Sequence, residues 1–511
     1  MKKRSLNLIL RLIFRYKKQL ISFIFFGISW SVPNKEVVVA KNKEQKKRYH
    51  SLAGRRDFMK VLGIGAMATA GNSFGTSFRG VDEMMSSPIA DRNLPFWVKE
   101  VDEPTVEIDW ENMEVFANPM LTLFNRSYWE KGEWEKIRDK NLATTTEKVR
   151  NKVPGYSLRD RALGDANCWG WGLSEIAPSW TGPEVKPNFN WEHPAMLYTP
   201  EDFGVPRYEG TPEENSRMLR VAGRIMGAAD VGFVKLNDRA KKLLYGMVQF
   251  EKVEKGYPKP NGMKILPDKD LWVICSVIPQ SLWMAQYTDR MSWAQSNTAA
   301  YSRAGIFSNR IKVFLRGLGY EHYGGGTADV GRAVGFGVLS GMAEYGRIGI
   351  MVSPQYGANI RTVILTITDL PLAETRPIDA GITNFCRTCK KCAERCPAGA
   401  ISMEDEPFWG GDAPWQAKGI KGWYSDIKKC FEHVFGGDPD CSICQAVCPF
   451  SKFDRAVIHD LVRMSISSTP ALNRILRKLD DIFGYGTPRT GEVWDIDPKD
   501  IPLFGLDTSR S

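Results

Sequence analysis

The chain has 511 residues, 43% of them hydrophobic and 25% charged, enough for two or three domains with a large core. Its net charge of +10 would suit a polyanion-binding protein, but residues 1–60 alone hold sixteen Lys or Arg against three Asp or Glu, which leaves −3 for the rest. The basicity belongs to the leader, so the folded body makes no case for nucleic acid as a partner.

Residues 1–54 form a basic N-terminal extension. Leu20-Ile21-Ser22-Phe23-Ile24-Phe25-Phe26 is apolar and flanked by Lys17-Lys18 and by the basic stretch Lys41–Arg48. It falls short of the about 20 apolar residues that cross a bilayer, and reads either as sequence upstream of the true start or as a second, weak anchor. Over residues 55–80, Arg55-Arg56-Asp57-Phe58-Met59-Lys60 precedes a mildly apolar run from Val61 to Ala70. That is the outline of a twin-arginine export signal, a route for proteins already folded around their cofactors. Ala66-Met67-Ala68 and Ala68-Thr69-Ala70 both fit a cleavage site. The competing reading is a chance arginine pair before a core helix. No stretch after residue 80 reads as a membrane span.

Residues 81–210 are rich in Pro, Gly, Asn and Trp and are expected to be irregular. The tryptophans of Gly164–Trp171, with Trp180 and Trp191, could wall a planar ligand, although core packing explains most such residues. Order improves over residues 211–372. Thr211-Pro212-Glu213-Glu214 supplies an N-cap, a first-turn proline and acidic residues for a helix through Met226. Gly227–Leu236 predicts a turn and a strand, and Trp272–Ile278 a second strand. Phe307, Ile311, Phe314, Leu315 and Leu318 mark one face of a helix from about Ala299 to Leu318, ended by Gly319. Gly324-Gly325-Gly326 follows, either a place where backbone closely approaches a flat ligand or a plain loop. Thr362–Asp369 predicts a further strand. This mixture indicates an α+β or α/β layered domain.

Eight of the ten cysteines lie within residues 373–460. One run reads Cys386-x2-Cys389-x2-Cys392-x3-Cys396-Pro397, the other Cys430-x10-Cys441-x2-Cys444-x3-Cys448-Pro449. This is the rhythm of bacterial ferredoxins, in which the fourth cysteine of each run ligates the other run's cluster. It assigns Cys386, Cys389, Cys392 and Cys448 to one 4Fe-4S cluster, and Cys396, Cys430, Cys441 and Cys444 to a second. Disulfides would be strained at two-residue spacing, and zinc does not call for this repeated rhythm. The ten-residue spacer makes Cys430 the ligand the motif fixes least. Cys168 and Cys275 read as buried small apolar residues. Residues 461–511 are expected to pack on the core as a C-terminal tail. The five histidines, His50, His193, His322, His433 and His459, show no metal-pair spacing.

The Arg-Arg-Asp-Phe-Met-Lys signal, Glu209-Gly210-Thr211-Pro212-Glu213-Glu214-Asn215, Leu318-Gly319-Tyr320 and its glycines are followed by Asp369–Ala373 and Pro377–Gly381, which lead into the first cysteine run. With Phe483-Gly484-Tyr485-Gly486 and the cysteine runs, the chain resembles a respiratory reductive dehalogenase over nearly all its length after residue 50. The resemblance implies a nitroreductase-like α+β core that buries a cobamide, a B12-type corrinoid, beside an appended ferredoxin-like module. Cobalt is then unligated by protein, in keeping with the absence of an Asp-x-His-x-x-Gly motif. The glycines Gly324, Gly325 and Gly326, with Thr327 where some members carry asparagine, become candidate cofactor contacts.

Tyr301 maps to the family's proton donor, at the start of the helix leading into Leu-Gly-Tyr. Arg361, after Pro354-Gln355-Tyr356-Gly357, maps to the basic residue that polarises it. From the residues alone, Tyr301 reads as a core tyrosine on the apolar helix face. A guanidinium beside a phenol favours phenolate and eases proton release. The resemblance further implies a small organohalide substrate, a chlorinated alkene or alkane, dehalogenated through Co(I). Its implied partners are a small membrane-anchor subunit, a membrane electron donor, the twin-arginine translocase and a dedicated chaperone, with the enzyme peripheral on the outer face of the cytoplasmic membrane. Two rival readings are an exported two-cluster electron carrier and an enzyme like epoxyqueuosine reductase, cytosolic and acting on tRNA.

Overall fold

The computed structural model describes residues 94–95, 97–116, 132–156, 199–287, 291–327, 329–361, 364–413, 415–436, 441–452, 457–487, 492–502 and 506. The basic extension, the twin-arginine segment, Cys168 and the tryptophans at 169, 171, 180 and 191 lie outside them. Among the described residues no helix is long and apolar enough to cross a membrane.

Within the stretch expected to be irregular, helix α1 (Glu133–Arg150) runs for 18 residues. Its side chains are largely charged, and its support comes from far along the chain. Trp134 lies against Phe431 with ring centroids 4.7 Å apart, and Glu133 pairs with Lys428 at 3.0 Å. A helix held by so narrow a contact leaves little apolar periodicity in its sequence.

Helix α2 (Pro212–Met226) begins where its cap demands. Thr211 Oγ1 accepts from the Glu214 amide at 3.2 Å, and Glu214 Oε2 accepts from the Thr211 amide at 2.9 Å, a reciprocal box that satisfies two end donors. Strands β1 (Asp230–Lys235) and β2 (Trp272–Pro279) follow, then helix α3 (Met291–Gly317). Helix α3 starts eight residues before Ala299, the start expected from the sequence. Its early buried positions include Ser296 and Thr298, not an apolar stripe, and Ser296 Oγ is tied to the Ser281 carbonyl at 2.9 Å. At its other end the Tyr320 amide reaches the Leu315 carbonyl at 3.0 Å and the Gly319 amide that of Arg316 at 2.9 Å. That double closure needs the left-handed φ of +87° at Gly319.

Strand β3 (His322–Thr327), helix α4 (Ala333–Leu339), and strands β4 (Ile360–Arg361) and β5 (Ile364–Thr368) complete the core. Every pairing in its sheet is antiparallel: β1 on one edge of β2, β5 and then β4 along β2's other edge, and β3 beyond β5. Alternation along β2 divides the core. Trp272, Ile274 and Ile278 join Ala304, Phe307, Ile311 and Leu315 of α3 and Leu219 of α2. Val273, Cys275 and Val277 face the other way, toward Phe336 of α4. Cys275 is fully buried there, and burial pushes its thiol up to about 12, as suits a small apolar residue.

His322 on β3 is buried, and its Nδ1 has no hydrogen-bond partner. Burial, then the charges of Lys312 and Arg316, lower its pKa from 6.5 to about 3. Unfolding lets this imidazole take up a proton that the fold refuses. Its contribution to stability is therefore intact above about 6.5 and is lost as pH falls toward about 3. Replacement by glutamine is expected to flatten the stability–pH curve in that window, read by denaturant titration; an unchanged slope would contradict a neutral buried imidazole.

Helices α5 (Ile382–Cys389), α6 (Lys391–Glu394), α7 (Ile427–Gly436) and α8 (Ile443–Ala446) carry Cys386, Cys389, Cys392, Cys430 and Cys444, and Cys396, Cys441 and Cys448 stand just outside them. In the C-terminal tail, α9 (Val457–Ser468) and α10 (Asn473–Ile482) pack against α5, where Met464, Ile466 and Leu476 join Phe385 and Phe450. Val493 reaches the core at Trp283 and Tyr287.

Candidate active site and cluster-binding module

Helix α3 and strand β4 bring together two residues 60 positions apart. The Arg361 guanidinium stacks over the Tyr301 ring, 5.4 Å from its centroid. Tyr301 is half-buried and lies in the third turn of α3, not at its start, because the helix begins at Met291. Arg361 Nη1 donates to its neighbour's carbonyl, Ile360 O, at 3.0 Å. Gln280, at the end of β2, is almost wholly buried. With its amide oriented to satisfy its neighbours, its oxygen accepts from Arg361 Nη2 at 3.0 Å and Nη1 at 3.2 Å, and its nitrogen donates to Gln445 Oε1 at 3.0 Å. Gln445 follows Cys444, so Arg361 is linked to the cysteine module through one side chain. Gln280 belongs to no motif and Gln445 fills an unspecified position inside Cys444-x3-Cys448, so no signal in the sequence singles them out.

The turn before β4 makes a second link. Ser353 and Gly357 exchange backbone hydrogen bonds of 2.8 and 2.9 Å. Gly357 has φ +64°, and a side chain there would overlap the backbone of Phe450 and Ser451, just past Cys448-Pro449. The Ala358 amide donates to Ser451 Oγ at 3.1 Å.

The four candidate cofactor contacts fall on β3. Gly324 and Gly325 have φ of +76° and +109°, and the pairing with β5 shifts register between Ile364 and Thr366, a bulge. The space their missing side chains leave is occupied by Val330 and the Leu365 carbonyl at Gly324, and by Lys312 and Ser308 at Gly325. Gly326 continues the strand, and Thr327 pairs with Ile364, three residues from Arg361.

All eight motif cysteines are free thiols. Burial is the main cause that raises Cys386, Cys389, Cys392, Cys430, Cys444 and Cys448, with Cys430 at about 11 and Cys389 at about 12. Their mutual repulsion separates them into two sets. Cys386 is raised by Cys389 and Cys448, and Cys392 by those three, with a lesser effect from Cys444. Cys430 is raised by Cys396, and Cys444 by Cys441, Cys430 and Cys396. These neighbours are the ones that the motif's spacing would bring to one cluster, and the assignment of ligands, Cys430 included, rests on that spacing. Among the described residues no three such side chains converge on a point as ligands of one ion would. A four-iron cluster binds one thiolate at each iron, so its ligands stand apart around it. The donor set fits two clusters.

Glu344, invisible to motif reasoning, secures the first run. Almost fully buried, its carboxylate accepts from the Ala380, Ile382 and Thr383 amides at 2.6, 3.1 and 3.0 Å and from Thr105 Oγ1 at 2.9 Å. It therefore caps the open N-terminus of α5 from outside the helix. Burial raises its pKa, and the three amides oppose that shift.

A layered core with a tyrosine–arginine pair, joined to two four-cysteine sites, defines an iron–sulfur oxidoreductase. The family model "Reductive dehalogenase subunit" matches residues 93–249 and 245–372, and "4Fe-4S double cluster binding domain" matches 385–451. The chain belongs to the reductive dehalogenases, oxidoreductases acting on carbon–halogen bonds. It is 28% identical to a trichloroethene reductive dehalogenase of Dehalococcoides mccartyi, over 88% of this chain and 97% of that protein. Against a tetrachloroethene reductive dehalogenase of Sulfurospirillum multivorans identity is 29%, over 91% and 97%. A solved reductive dehalogenase described as B12-dependent shares the fold, with a TM-score of 0.55 at 20% identity over 76% of this chain. The match spans 49% of that longer protein.

Proposed function

We propose that the chain is the catalytic subunit of organohalide respiration, removing halogen from a chlorinated alkene or alkane with a buried cobamide and two 4Fe-4S clusters. The observation that carries this reading is Arg361 stacked on Tyr301 and tied through Gln280 to Gln445, beside a cluster ligand. The chloroethene relatives support the substrate class, and the antiparallel sheet backed by α2 and α3 supports a nitroreductase-like core. Asn359 suits the cofactor: fully buried two residues before Arg361, its amide has both nitrogen and oxygen unpaired. A corrinoid's peripheral carboxamides are matching donors and acceptors.

The reaction consumes two electrons and one proton; a carbon–halogen bond breaks, a carbon–hydrogen bond forms, and halide leaves. When bound, the cobamide supplies the reduced cobalt that cleaves the carbon–halogen bond. Tyr301 Oη gives its proton to the carbon. Arg361, fixed by Ile360 O and Gln280, holds positive charge beside the phenolate that remains. The Arg55-Arg56 signal supports export by the twin-arginine route, with the translocase and a dedicated chaperone. It also supports a peripheral position on the outer face of the cytoplasmic membrane, with a small anchor subunit and a membrane electron donor.

Anaerobically purified protein is expected to yield an extractable corrinoid and to release halide from chlorinated alkenes or alkanes with a low-potential dye as donor. Intact clusters without corrinoid or halide release would leave an exported electron carrier.

A further inference from the structure

The two quartets sit in unlike electrostatic surroundings. Around Cys386, Cys389, Cys392 and Cys448, Arg347 and Lys391 are 1% exposed and Lys452 7%, while Arg477 donates to Cys389 O at 2.8 Å and pairs with the more exposed Glu394 and Asp481. Among the described residues Arg347 hydrogen-bonds only carbonyl oxygens, including Cys386 O from Nε at 3.0 Å and from Nη2 at 2.8 Å. Lys391 adjoins Cys392, and its Nζ meets Asp480 Oδ2 at 2.5 Å; Lys452, four residues past Cys448, takes Oδ1 of the same carboxylate. Asp480, 7% exposed, is thus one buried anion shared by two ammonium groups, with Arg347 in excess. Asp481, which also pairs with Lys391, and Asp405, near Arg347, stand at the surface with side chains 42% and 78% exposed, where solvent and salt screen them.

The other quartet has no such excess among the described residues. Lys428 and Lys429 immediately precede Cys430, but Lys428 is partly exposed and paired with Glu133, and Lys429 is exposed and paired with Asp426. Arg361 is separated from Cys444 by Gln280 and Gln445.

Reduction adds one negative charge to a cluster, and buried cations nearby stabilise the reduced form more than the oxidised one. We propose that Arg347, Lys391 and Lys452 make the cluster on Cys386, Cys389, Cys392 and Cys448 the more easily reduced of the two. These are positioning residues for charge and touch no substrate. The inference holds whichever organohalide is reduced.

The test is an EPR-monitored redox titration of the anaerobic holoenzyme. Wild type should show two reduction steps. Lys452→Met and Lys391→Met should each lower the higher step, by at least tenfold in its equilibrium constant, which is 59 mV for one electron. Asp480→Asn should raise that same step. Opposite shifts from two partners in one ion network report charge, since structural damage would move both the same way. If the lysine variants fail to bind iron, Cys430→Ala decides the matter: the cluster left on the first quartet should titrate at the higher wild-type step. Coincident wild-type steps, shifts of one sign, or a surviving cluster at the lower step would overturn the proposal.

Discussion

Tyr301→Phe is expected to lower turnover about 100- to 10,000-fold, the range a positioned general acid contributes, with iron and corrinoid contents unchanged. The substitution removes only the hydroxyl. The ring that lies 5.4 Å below the Arg361 guanidinium is kept, so the stack and the placement of β4 survive. What disappears is the proton that must reach carbon as halide departs. Halide release under single-turnover conditions, with the metal contents of the same sample, separates this effect from loss of cofactor. A rate like that of wild type would remove Tyr301 from the mechanism and leave it a core residue of α3.

Cys430→Ala is expected to halve the bound iron and abolish dye-dependent dehalogenation. The ten-residue spacer after Cys430 makes its role the least secure in the sequence, yet its thiol is raised by Cys396 and in turn raises Cys444. Three thiolates leave one iron of the cluster without a protein ligand, and an electron relay with one station missing cannot deliver charge to the core. Iron analysis and the EPR signal of the remaining cluster measure the outcome; full iron content would show that another group completes the second site. Cys275→Ala is the control, since that thiol faces the apolar side of β2 beside Phe336.

What could be read in the chain beforehand was whatever is encoded locally. Thr211, Pro212 and Glu214 announce α2 because their capping groups act within one turn. Trp272–Ile278 reads as a strand because both its faces are apolar. The cysteine quartets are legible because ligand spacing is a local constraint, even though each borrows one ligand from the other run. The first turns of α3 are not legible: Ser296 is buried by a bond to Ser281, a contact made only after folding. The charged helix α1 rests on Phe431, nearly 300 residues away. The resemblance points to Tyr301 and Arg361 as a pair. That Gln280 ties the arginine to Gln445 depends on the end of β2 meeting α8, and nothing local to either glutamine records it.

The contact between Gly357 and the Phe450–Ser451 backbone bears on how the protein matures. The peptide that carries Cys448 toward iron is the same peptide on which the turn before Arg361 rests. Binding of iron at Cys448 and placement of the turn before Arg361 are therefore coupled through one short peptide.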